Sequence, residues 1–189
     1  MNIGTLPARH ARYRGDHLAV VFKDQRLTYR RLNARINRLA NAMLGAGISK
    51  GDKVATILPN SLELLDLYWA AAKIGAVVVP SSTLLQESGL KTLLNKSDCV
   101  MVVSAPLFAE TLNAVRADVP GVAEDRWILT GSDIPDGFRS YDDLVSDQSE
   151  AEPPDAGIDL EDPYNIIYSS GTTGEPKGII HTHRIRGNY

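Results

Sequence analysis

The chain has 189 residues, 43% of them hydrophobic and 23% charged, with a formal net charge of −3. That balance fits a soluble globular domain with a sizeable core, and it offers no electrostatic attraction to nucleic acid or an anionic membrane. The single cysteine, Cys99, excludes an intramolecular disulfide and an all-cysteine zinc site, no apolar run is long enough to span a bilayer, and no apolar signal region follows Met1, so the cytoplasm is the default location.

Residues 5–14 carry Arg9, His10, Arg12 and Arg14 and read as a short solvated helix, with a basic anion-binding arm as the alternative. Leu18 to Phe22 reads as a strand, 23–26 as a tight turn, and Leu27-Thr28-Tyr29 as the return. Thr28 is a good cap for a long helix whose stripe is Leu32, Ile36, Leu39, Ala40, Met43 and Leu44. Arg30, Asn33, Asn37 and Asn41 fall elsewhere on that cylinder, and Gly45 and Gly47 stop it. A strand follows over Lys53 to Leu58. Asn60 with Glu63 forms a capping-box pair for a helix from Leu62 to Ile74 that is apolar nearly all round, so more than one of its sides should be covered. Tyr68 and Trp69 sit among its leucines and alanines and read as core rather than as a stacking platform.

Gly75 ends that helix, and Ala76 to Val79 is a buried-type strand closed by Pro80. Thr83 with Gln86 is a second capping pair, opening a helix to about Lys96 with Leu90, Leu93 and Leu94 inward. Cys99 to Val103 is a strand in which Cys99 acts as a small core hydrophobe. Ser104 and Pro106 open a helix carrying Phe108, Leu112 and Val115, and Trp127 to Leu129 is a further strand. This alternation predicts an α/β layered fold with a largely parallel sheet and flanking helices. Pro135-Asp136-Gly137 is a turn. Residues 146–162 hold seven acidic side chains and Pro153-Pro154 with little that is apolar, which reads as a mobile connector, the alternative being an acidic metal site.

The stretch with chemistry in it is Tyr168-Ser169-Ser170-Gly171-Thr172-Thr173-Gly174-Glu175-Pro176-Lys177-Gly178. Short apolar runs flank it, so it reads as a loop between two strands. Glycines let a backbone approach a ligand closely, and successive N–H groups make an anion-binding concavity. Four hydroxyls add rotatable donors, and Lys177 adds a full positive charge. It is not a Walker loop, which ends in Gly-Lys-Ser/Thr at a helix start. The plain alternative is a Ser/Thr/Gly surface turn. His181 and His183, two apart on a strand, would share a face, either shaping the site or contributing to a metal site that lacks a third ligand.

This stretch, followed by Thr182-His183, resembles the phosphate-loop signature of the AMP-forming adenylating enzymes: acyl- and aryl-CoA synthetases, peptide-synthetase adenylation domains and luciferases. Residues 27–35 resemble that family's first core motif and residues 70–80 its second, although Ser81-Ser82-Thr83 follows Pro80 where Leu or Ile is frequent. The resemblance implies ATP, Mg2+ and coenzyme A as cofactors or co-substrates and a small-molecule carboxylate as substrate. It implies Ser169, Ser170, Gly171, Thr172, Thr173, Gly174 and Lys177 as phosphate contacts, with Lys177, Thr172 and Thr173 taking part in catalysis, and assigns no metal ligand. It further implies the incomplete N-terminal part of the large domain, inactive alone, with adenosine, ribose and magnesium motifs beyond Tyr189. The expected organisation is an α/β subdomain over 1–145, a connector over 146–162 and a strand–phosphate loop–strand over 163–189. An acyl-CoA synthetase is preferred over a peptide-synthetase module. A non-catalytic nucleotide-binding or self-associating module, dimeric through exposed apolar surface, is the reading from another class.

Overall fold

The computed structural model describes residues 2–169 and 176–188. Among them a seven-stranded sheet is built in the order β7-β6-β5-β3-β4-β8-β9, with a separate two-stranded ribbon of β1 (Leu18–Phe22) and β2 (Gln25–Thr28). The sheet strands are β3 (Lys53–Ile57), β4 (Val77–Pro80), β5 (Cys99–Ser104), β6 (Trp127–Leu129), β7 (Arg139–Ser140), β8 (Pro163–Ser169) and β9 (Lys177–Thr182). Every pairing in it is parallel except β8 with β9. The expected layered, largely parallel α/β architecture is what the chain adopts.

Side-chain alternation divides the core in two. Val54, Val78, Met101, Val103 and Ile128 face one way, onto α2 (Tyr29–Gly45), α3 (Leu62–Ile74) and α6 (Tyr141–Ser146). Ala55, Val79, Val102, Trp127 and Leu129 face the other way, onto α4 (Glu87–Lys96) and α5 (Ala109–Arg116). Strands covered on both faces account for the unbroken apolar runs in the sequence. The helix α1 (Leu6–Arg14) packs on α2, and the 3-10 turn Ile3–Thr5 packs on α3. Gly4 permits the latter approach, since a Cβ there would lie 2.3 Å from the Ala72 carbonyl oxygen.

Local chemistry fixes the element ends, and several differ from expectation. Thr28 does cap α2, its hydroxyl accepting from Arg31 N. The cap of α3 is Ser61 rather than Asn60, because Ser61 is extended and its hydroxyl reaches Leu64 N. The helix expected from Thr83 begins at Glu87, because the Ser82 hydroxyl and carbonyl take the N–H groups of Leu84 and Leu85 and form a turn first. Pro106 opens a 3-10 turn ahead of α5, and Ser104 stays in β5. The turn after β1 is confined to Lys23 and Asp24, with Lys23 at φ 52°; Gln25 and Arg26 are already in β2. Gly75 closes α3 in the left-handed conformation at φ 75°, as its position after Ile74 requires.

Candidate functional site

The signature stretch lies between β8 and β9, which pair antiparallel from Pro163↔Thr182 to Ser169↔Lys177. The loop-between-strands reading therefore stands at both ends of the loop. Ser169 and Lys177 are cross-strand partners at the open end of the ladder, and both are exposed. Ser170, Gly171, Thr172, Thr173 and Gly174, the other expected phosphate contacts, lie outside the described residues. Gly178, next to Lys177, lets two side chains of β8 lie across the ribbon: a Cβ there would come within 2.8 Å of Ile166 Cγ2 and 3.2 Å of Tyr168 Cζ.

The sheet gives this hairpin its address. Because β8 runs parallel to β4, Ser169 and Lys177 lie beyond the carboxyl ends of the parallel strands. The chain places β4 on one side of β3 and β5 on the other, so its winding direction switches at β3. Ligands of open α/β sheets bind at that edge, near such a switch.

The two histidines do not share a face. β9 stops at Thr182, whose hydroxyl accepts from Ile185 N and caps the short helix α7 (His183–Gly187). His181 keeps its strand position, with Nδ1 3.1 Å from Asn165 Oδ1. His183 is fully buried, its ring 5.6 Å from that of Tyr164, and neither ring nitrogen has a hydrogen-bond partner. Burial lowers its pKa and favours the neutral imidazole, against the pull of Asp162. Thr182-His183 thus shapes the exit of the hairpin. Among the described residues no group of His, Cys, Asp or Glu could hold a metal ion.

The acidic segment expected to be mobile is instead a strap laid along α2 and tied to it. Asn41 donates to the carbonyls of Ser149 and Ala151 at 2.9 and 3.0 Å, and Asn37 to that of Glu150 at 2.7 Å. Arg38 pairs with Glu150. Lys50 donates to the Gly157 carbonyl and pairs with Asp162, both at 2.7 Å. The strap then leads into β8. Its last carbonyls also accept from the chain leaving β9: Asp162 O from His183 N at 3.1 Å, and Leu160 O from Arg184 N at 2.8 Å. Both legs of the hairpin are held by the same segment.

At the centre of this arrangement Lys73, in the last turn of α3, buries its ammonium. Nζ donates to Asn33 Oδ1 at 2.8 Å, Asn37 Oδ1 at 2.7 Å and Glu152 Oε2 at 2.5 Å. The same two asparagines donate to Glu152 Oε1, at 2.7 and 3.0 Å. Burial pushes the Lys73 pKa down, opposed by Glu152. Partial burial works against the Glu152 carboxylate, but bonds from Asn33, Lys73 and Asn37 outweigh it and hold its pKa below the ordinary value. Sequence reasoning left these residues out. The available signal was the spacing of Asn33, Asn37 and Asn41, which puts three amides on one line of a helix, and a single lysine in the apolar second half of the helix over 62–74.

Comparison with known proteins places this geometry in context. A family model described as AMP-binding enzyme matches residues 7–186. The chain is 39% identical over 162 residues to a long-chain-fatty-acid–CoA ligase, FadD13, of Mycobacterium tuberculosis, covering 85% of this chain and 30% of that protein. It is 31% identical over 197 aligned residues to an acetyl-coenzyme A synthetase of Nostoc linckia, covering 92% of this chain and 57% of that protein. A crystal structure of the anthranilate CoA ligase AuaEII in complex with anthranoyl-AMP superposes with a TM-score of 0.91 at 27% identity, over 97% of this chain and 35% of the other. The chain therefore spans about a third to a little over half the length of these relatives.

Proposed function

The chain belongs to the AMP-binding enzyme family, and from that premise we propose that it supplies the phosphate-binding hairpin of an ATP-dependent acid–thiol ligase. In the proposed reaction a carboxylate oxygen attacks the α-phosphorus of Mg-ATP, giving an acyl adenylate and releasing pyrophosphate. A thiol then attacks the acyl carbon and AMP leaves. Coenzyme A is the proposed thiol rather than a carrier protein, since the similar proteins named above are CoA ligases and synthetases. The acyl substrate is proposed only as a small-molecule carboxylate, and the cytoplasm as the location. Among the described residues no helix is long and apolar enough to cross a membrane.

The observation that carries this reading is the pairing of Ser169 with Lys177 at the carboxyl edge of the sheet. It sets a hydroxyl and an ammonium at the two ends of a loop of glycines and hydroxyls. Ser169, Ser170, Gly171, Thr172, Thr173, Gly174 and Lys177 are the proposed contacts to the β- and γ-phosphates. Their work is orientation and stabilisation of charge that grows on the leaving pyrophosphate, with Lys177, Thr172 and Thr173 contributing most. Magnesium enters with the nucleotide as part of the substrate. The proposed division of labour gives the hairpin over 163–189 to phosphate binding, 146–162 to connection and 1–145 to support.

Calorimetric titration of the chain with Mg-ATP and with pyrophosphate tests this. Saturable binding that is lost in Lys177→Ala supports it, and binding unchanged by that substitution overturns the assignment. A second reading, self-association, is favoured by Ile179 and Ile180 on the outer strand β9, 49% and 54% exposed. Light-scattering mass after gel filtration decides it: a monomer at every concentration ends that reading.

A further inference from the structure

We propose that Lys73, acting with Asn33, Asn37 and Glu152, is a positioning residue for the phosphate-binding hairpin: it locks the strap that grips both legs of that hairpin. The consequence for ligand binding rests on the nucleotide reading above; the structural claim stands apart from it.

The lock is closed on itself. One ammonium has three acceptors, and one carboxylate receives both asparagine amides and that ammonium. Lys73 is 3% exposed at its side chain and Glu152 is 50% exposed. Taking an ammonium out of water is costly, and an apolar side chain of similar volume would fill the same space at no such cost. What a fully satisfied buried charge adds is a single geometry. Here that geometry fixes Glu152 against α2 and α3 together.

Two routes lead from Lys73 to the hairpin. Along the chain, Lys73 is followed by Gly75 and then β4, whose Val78 pairs with Asn165 of β8. Through the strap, Glu152 leads to Leu160 and Asp162, whose carbonyls accept from Arg184 and His183 just beyond β9. The strap also runs directly into Pro163, the first residue of β8. A slip of the strap along α2 therefore displaces β8 at its start and β9 at its finish in one movement. The asparagine ladder opposes such a slip, because its amides accept no alternative register without leaving Lys73 short of an acceptor.

Glu152→Ala tests the proposal without opening the core. Hydrogen–deuterium exchange read by mass spectrometry should find the amides of 163–169 and 177–182 exchanging about tenfold faster, with β3 and β5 unchanged. Glu152→Asp, which keeps both carboxylate oxygens as acceptors for the ammonium and the asparagine amides, should return exchange part of the way to wild type. Lys91→Ala, which breaks the separate pair with Asp118, should leave the hairpin as it was. Pyrophosphate affinity should fall about tenfold in Glu152→Ala and recover in part in Glu152→Asp. Wild-type exchange in the hairpin of Glu152→Ala overturns the proposal, as does acceleration spread evenly over the whole sheet. Failure of the wild-type chain to bind pyrophosphate counts against the nucleotide reading, and the exchange pattern still decides the lock.

Discussion

Arg35 Nη2 and Asp66 Oδ2 meet at 2.6 Å between α2 and α3, and the Asp66 side chain is 1% exposed. Its other oxygen, Oδ1, has no hydrogen-bond partner. Burial, opposed by Arg35 and reinforced by the nearby charge of Glu63, raises the Asp66 pKa to about 6.

The sign of the resulting pH dependence follows. The folded state holds a proton on Asp66 more tightly than the unfolded state does, so between the ordinary value of 3.8 and about 6 stability contributed at this site falls as pH rises. The full difference is about 3 kcal/mol for an isolated site. Urea unfolding of wild type and Asp66→Asn on both sides of this window measures it. The stability of wild type relative to the variant should be greater at the acid end. A difference that is flat across the window refutes the assignment.

On the proposed function, Lys177→Ala in a ligase that contains this chain should slow adenylate formation by about ten- to a thousandfold, the effect of one charged donor aimed at developing charge. ATP–pyrophosphate exchange reads this directly. The substitution should leave thermal stability unaltered, since Lys177 is exposed at the mouth of the hairpin. Unchanged exchange activity would remove the lysine from the site.

Gly4→Ala should destabilise the chain by about 1–3 kcal/mol, the range for forcing atoms into a packed contact. The added methyl would sit 2.3 Å from Ala72 O and 2.9 Å from Lys73 N, both backbone atoms that cannot rotate away. Chemical denaturation measures the loss. A loss below about 0.5 kcal/mol would mean that the turn Ile3–Thr5 moves off α3 at little cost.

Cys99 should be inert toward thiol reagents in the folded chain. It is 1% exposed, and burial pushes its pKa to about 11 against the bond from Ser97. A colorimetric thiol assay at mildly alkaline pH should register the thiol only after denaturant is added. Rapid labelling of the native chain would contradict the burial.

The alternation of strands and helices was legible because two periodicities dominate the sequence, and buried strands such as β5 read as unbroken apolar runs. The hairpin was legible because its flanks carry the isoleucine pairs Ile166-Ile167 and Ile179-Ile180, while the stretch between them is mostly glycine and hydroxyl residues with a lysine. What escaped was long-range polar pairing. Asn33 and Asn37 look like a solvated face of α2 until Lys73 and Glu152 are placed beside them, and their partners lie up to 119 residues away. β7 and α6 escaped because they are short, at two and six residues, and their pattern carries little periodicity. His183 was placed on a strand because nothing in its own chemistry announces that Thr182 would cap a helix.

The asparagine ladder spans 108 to 119 positions of chain. Closing so large a loop is entropically expensive and brings no reward until the far segment arrives, so these bonds form late in folding. As the chain leaves the ribosome, β3 and β5 have their partners well before residue 149 is made, whereas β4 still waits for β8. The hairpin edge is accordingly the last part to set, and refolding followed by pulsed exchange should find amides of 163–169 and 177–182 protected after those of β3 and β5.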